Sequence, residues 1–128
     1  MIVDDDRDDR FFFRNAVKAI NGAYECREAK HGVEALEQLK LTNPLPDFIF
    51  LDLNMPFMGG KECLCELKKD NELKHIPVII YSTSRYETDI QFARTNQAAH
   101  YLVKTADIFR LPSEIFNTME RITNTISS

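Results

Sequence analysis

Short apolar runs alternate along this chain with amphipathic helical stretches, and that alternation leaves few folds open. The strand-like runs are Met1 to Val3, Tyr24 to Ala29, Phe48 to Leu51, Val78 to Tyr81 and Ala99 to Val103. An unbroken run such as Phe48-Ile49-Phe50-Leu51 reads as a strand buried on both faces. Five helical patterns come between and after these runs. The first carries a stripe of Phe12, Phe13, Ala16, Val17 and Ile20, which leaves Phe11 as the exposed aromatic of its triplet. Val33, Leu36, Leu39 and Leu41 supply the apolar positions of the second. The third opens at Gly59-Gly60 and contains Leu64 and Leu67, and the fourth runs from about Tyr86 to Thr95. Behind Pro112, a residue suited to a first helical turn, the fifth carries Ile115, Phe116, Met119, Ile122 and Ile126. This order predicts a doubly wound α/β fold, a parallel sheet with helices on both faces.

Right-handed crossovers then bring every strand's carboxyl end to one edge, where open α/β sheets bind their ligands. The residues at those ends are Asp4-Asp5-Asp6, Asp52, Ser82 and Lys104. With 128 residues, one domain spanning 1–128 is expected. The first strand is short, with three apolar residues ahead of Asp4, as a trimmed amino terminus would leave it. A net charge of −4 without any basic stripe argues against direct nucleic-acid binding. No run approaches membrane-spanning length and no signal peptide stands at the start, so no membrane contact and a cytoplasmic location are expected. Cys26, Cys63 and Cys65 form no Cys-x-x-Cys pair and read as free thiols. His31, His75 and His100 share no spacing that suggests a metal.

Carboxylates brought together repel, and a small hard divalent cation relieves that repulsion. Mg²⁺ favours oxygen ligands and commonly shares a phosphate with one or two carboxylates, so Asp4, Asp5 and Asp52 together read as a metal site. Asp6 and Asp8 read as helix-start acids. A hydroxyl from Ser82 and an ammonium from Lys104 beside a cation would complete an oxyanion site for a phosphoryl group, with the Thr83 backbone N–H as a further donor. An Asp carboxylate can itself be the nucleophile, giving an aspartyl phosphate.

The ordered stretches Val3-Asp4-Asp5-Asp6, Leu51-Asp52-Leu53-Asn54-Met55-Pro56-Phe57-Met58-Gly59-Gly60, Ile76 to Ser84 and His100-Tyr101-Leu102-Val103-Lys104 resemble the receiver domain of two-component response regulators. The segment Ala29 to Leu36 is similar to that family's second strand and helix. The resemblance covers essentially the whole chain and implies a five-stranded flavodoxin-like sheet in the order 2-1-3-4-5. Stand-alone receivers such as the chemotaxis regulator, and the cyanobacterial-phytochrome and Bacteroidetes single-domain type, look most alike. It implies that Asp52 accepts a phosphoryl group from a sensor histidine kinase or phosphotransfer protein. Asp5, Asp52 and the Asn54 carbonyl would bind Mg²⁺, with Asp4 acting through water. Lys104 would contact the phosphoryl oxygens. Ser82 would swing toward them and Tyr101 would move inward, altering the face of the fourth helix, fifth strand and fifth helix for a downstream protein target. That face is also the family's common homodimer surface, and an apolar fifth helix permits either packing or pairing.

Three positions depart from the family pattern. Lys104-Thr105 replaces the usual Lys-Pro with its cis peptide, and a non-proline cis bond costs about 3 kcal/mol, so trans is expected. Gln97 stands where a glycine often ends the fourth helix, with Asn96 expected to take the left-handed position instead. Ser82 replaces the commoner Thr. Two other readings stand beside the phosphoacceptor. A pseudo-receiver binding module would rest on Thr105 and the short first strand. A phosphohydrolase with an Asp52 nucleophile would need an acid at position 54, where this chain has Asn.

Overall fold

The computed structural model describes residues 1–22 and 24–127. Strands and helices alternate throughout: β1 (Ile2–Val3), α1 (Arg7–Ala19), β2 (Glu28–Ala29), α2 (Gly32–Leu41), β3 (Ile49–Leu51), α3 (Gly60–Lys69), β4 (Val78–Ser82), α4 (Glu87–Thr95), β5 (His100–Val103) and α5 (Leu111–Ser127). A 3₁₀ turn over Ile108–Arg110 leads into α5. The five strands are all parallel, in the order β2-β1-β3-β4-β5.

Side chains of successive strand residues point to opposite faces, and the core divides accordingly. Val3, Leu51 and Ile80 face α2 and α3, packing with Ala35, Leu39, Leu64 and Leu67. Ile2, Phe50, Ile79 and Tyr81 face α1 and α5, packing with Phe13, Val17, Ile115 and Met119. Helix ends are set locally. The Asp6 carboxylate caps α1 by accepting from the Asp9 N–H at 2.9 Å, with Asp8 and Asp9 in the first turn, where acids suit the dipole. His31 Nδ1 caps α2 by accepting from the Glu34 N–H at 3.2 Å.

Several expectations are corrected. The strand expected over Tyr24 to Ala29 shrinks to Glu28–Ala29, because only those residues pair with β1. Phe12 is not core. The buried stripe of α1 is Phe13, Ala16, Val17 and Ile20, and Phe12 sits one residue off it, exposed along with Phe11. Val33, Leu41, Phe116 and Ile126 are likewise exposed on the flanks or ends of their helices. At the end of α4 it is Gln97, not Asn96, that takes the left-handed conformation, with φ 68°. The Gln97 N–H donates to Arg94 O and the Ala98 N–H to Ala93 O, the paired bonds of a Schellman motif. Asn96 is held at φ −98°, its side-chain amide donating to Phe92 O. Among the described residues the one cis peptide is Asn43–Pro44, so Lys104–Thr105 is trans as expected. All three cysteines are free.

Candidate functional site

The register of the central strands brings the first two carboxylates together. Val3 lies beside Leu51 in the β1–β3 ladder, so Asp4 and Asp52 step off neighbouring strands side by side. Their backbones are still clamped there: the Asp52 N–H donates to Val3 O at 2.9 Å and the Asp4 N–H to Ala29 O at 3.0 Å. Asp4 is fully buried and Asp52 is 7% exposed, whereas Asp5 is exposed. Oxygens of all three carboxylates lie within 4.8 Å of one another, the one such group of potential metal ligands among the described residues.

Lys104 reaches in from the end of β5, its N–H held by Ser82 O at 2.8 Å. Its ammonium lies 2.6 Å from Asp4 Oδ2, 2.8 Å from Asp9 Oδ2 and 3.7 Å from Asp52 Oδ2. The Tyr81 ring walls one side, its centroid 5.3 Å from the nitrogen. Sequence reasoning did not find Asp9. Asp9 stands in the first turn of a helix whose amino end abuts the sheet edge, but its lysine partner is set by tertiary packing that the sequence does not display. It also missed Arg10, a buried side chain that donates to Asp4 O at 2.8 Å and pairs with Glu28.

Charge at this edge is unbalanced, because Asp4, Asp9 and Asp52 share one ammonium and Asp5 adds a further carboxylate beside Asp4 and Asp52. Burial pushes the Asp52 carboxyl up to about 6; Lys104 opposes the shift, and Asp4 and Asp5 add to it. Burial also raises Asp4, against the hydrogen bond from Lys104. For Lys104, burial alone would lower the pKa, but its bonds to Asp4 and Asp9 and the nearby Asp52 charge hold it above the ordinary lysine value. The donor set is all hard oxygen, which suits a small divalent cation. Both Asp4 oxygens already accept, Oδ1 from the Asp6 N–H at 2.9 Å and Oδ2 from Lys104, so Asp5 and Asp52 are the better direct ligands.

The remaining expected residues line the same edge. Ser82 is buried at the end of β4, and its hydroxyl oxygen accepts from the Ser84 N–H at 3.1 Å. Thr83 follows it and is exposed. Tyr101 is half-buried, packs against the α2–α3 side of the core and donates its hydroxyl to Ser84 O at 2.8 Å. The Ser84 hydroxyl in turn donates to Asp89 on α4, which Lys61 of α3 holds at 2.9 Å. Asn54 is exposed in the loop after β3. Farther along that loop Phe57, with φ 66°, is 84% exposed and lies edge-on to His31. A cleft of ≈ 240 Å³ lined by Met1, Cys26, Phe48 and Met119 lies at the opposite edge, at the amino ends of the strands, and holds none of these residues.

Comparison with known proteins agrees with this fold. The family model of the response regulator receiver domain matches residues 1–116. Response regulator Rcp1 of Synechocystis sp. is 29% identical over 119 residues, spanning 87% of this chain and 81% of its own length. The crystal structure of the phosphorylated cyanobacterial phytochrome response regulator RcpA superposes with a TM-score of 0.86 at 31% identity, covering 97% of this chain and 92% of that one. The Mn²⁺-bound form of Rcp1 superposes with a TM-score of 0.80 at 28% identity, covering 89% of this chain and 86% of its own.

Proposed function

The chain belongs to the response regulator receiver domain family, and on that premise we propose that residues 1–128 act as a phosphoacceptor switch of two-component signalling. The observation that carries this reading is the setting of Asp52. It is a nearly buried carboxylate at a strand end, with a lysine ammonium 3.7 Å away and two further acids within 4.8 Å. In this reading an Asp52 oxygen attacks the phosphorus of a phosphohistidine on a sensor histidine kinase or phosphotransfer protein. The P–N bond breaks, and its electron pair returns to the imidazole.

Lys104 has three N–H donors, of which Asp4 and Asp9 take two, and its nitrogen lies 3.7 Å from Asp52 Oδ2. It can therefore bind a phosphoryl oxygen without leaving its anchors. Ser82 supplies a hydroxyl and Thr83 a backbone N–H to the other oxygens. Asp5, Asp52 and the Asn54 carbonyl would hold Mg²⁺, with Asp4 behind a water, and the cation would neutralise the carboxylates and draw a phosphoryl oxygen toward Asp52. Turning the Ser82 hydroxyl toward the phosphoryl group gives up its bond with Ser84, whose carbonyl holds Tyr101. That change would pass to α4 and β5, the face read by a downstream protein target.

Turnover is expected to be slow. An acid two residues after the nucleophile would speed hydrolysis, but Asn54 cannot transfer that proton. The chain is thus read as a signalling protein with self-phosphorylation and slow autodephosphorylation, not as a phosphohydrolase. Among the described residues no helix is long and apolar enough to cross a membrane, which is compatible with work in the cytoplasm. Intact-protein mass spectrometry after incubation with Mg²⁺ and a small phosphodonor tests the reading. One acid-labile phosphoryl adduct is expected on the wild type and none on Asp52→Asn. An unmodified wild type, under conditions that label a control receiver, sinks it.

A further inference from the structure

Lys104 is shared among more acids than a phosphate-binding lysine needs. Asp4 Oδ2 takes one N–H at 2.6 Å and Asp9 Oδ2 a second at 2.8 Å, while Asp52 Oδ2 at 3.7 Å stays outside hydrogen-bond reach. Asp9 sits on α1, outside the carboxylate trio and half open to solvent. An acid in a first helical turn ordinarily serves the helix dipole alone, but here the carboxylate is aimed at the lysine. We infer that Asp9 is a positioning residue that restrains Lys104, so that a phosphoryl group arriving on Asp52 must share the ammonium with it. This inference rests on Asp52 being the phosphoacceptor.

The acyl phosphate carries about one and a half to two negative charges where the ionised carboxylate carried one, so phosphorylation adds up to about one negative charge beside Lys104. Asp9 places another negative charge on the same ammonium, 2.8 Å from its nitrogen, where it opposes that arrival. Asp4 still anchors Lys104 when Asp9 is neutralised, because that bond is made by a buried carboxylate that is not on α1. Asp9→Asn therefore keeps the shape and one acceptor while removing the charge, and Asp9→Glu restores the charge.

The test compares second-order labelling rates with acetyl phosphate, in saturating Mg²⁺ and over a range of ionic strength. Asp9→Asn is expected to label about three-fold faster than wild type at low salt. That advantage should shrink as salt rises, since screening weakens a half-exposed charge. Asp9→Glu should label at close to the wild-type rate. A purely structural role would instead lower the melting temperature of both variants and leave the salt dependence unchanged. Equal or slower labelling by Asp9→Asn, or an advantage insensitive to salt, overturns the assignment while leaving the phosphoacceptor reading intact. A wild type that takes no label where a control receiver does removes both.

Discussion

At the scale of single residues, the cost of ionising Asp52 has a measurable consequence. Its folded pKa of about 6 lies above the ordinary 3.8, with burial as the largest cause. The folded chain therefore holds the Asp52 proton more tightly than the unfolded chain, and stability falls as pH rises from about 4 through about 6. Above that window the deficit is complete, on the order of 3 kcal/mol without metal. Asp52→Asn should accordingly be more stable than wild type at pH 8 and match it near pH 4, as read from urea melts at the two values. A gap of equal size at both would contradict the assigned environment. Asp4, Asp52, Ser82 and Lys104 were legible in the sequence because each ends an apolar run, and Asp5 because it adjoins Asp4. Asp9 and Arg10 were not, because they act from a helix flank, and their partners at positions 104 and 28 are set by tertiary packing.

Elements carry the site through their contacts with one another. The amino end of α3 packs so closely on the end of β3 that a Cβ at Gly60 would lie 2.1 Å from Asp52 O and 2.5 Å from Leu53 Cα. No positive φ is involved; the requirement is for space, and backbone cannot yield as a side chain can. Gly60→Ala should destabilise the fold by roughly 3 kcal/mol, at the upper end of overpacking effects, and displace Asp52. A thermal melt monitored by circular dichroism checks this, and an unchanged midpoint would refute the close approach. Helix positions at this scale were legible, their outer faces less so. Phe12 and Leu41 fit an apolar stripe by spacing but are exposed, because helix spacing does not say how far around the cylinder the neighbouring elements reach. Gln97 shows the same limit: the two bonds of its Schellman motif depend on how α4 turns into β5, and they outweigh the intrinsic preference of Asn96.

For the whole molecule, topology turns separated residues into one constellation. The order β2-β1-β3-β4-β5 places β1 beside β3 at the centre, which joins Asp4 to Asp52 across 48 residues of sequence. β5 lies two strands away from β3, and its long lysine side chain closes the distance. The parallel sheet was readable from the alternation of runs. Its strand order was readable through the family resemblance, since periodicity does not fix which strands are neighbours. The central claim is that this edge exists to place a phosphoryl group on Asp52. Borohydride reduction of protein labelled with acetyl phosphate in Mg²⁺, followed by peptide mass mapping, tests it most directly. The account predicts a reduced aspartate at position 52 alone, whereas a reduced residue at Asp4, Asp5 or Asp9, or none at all, would contradict it.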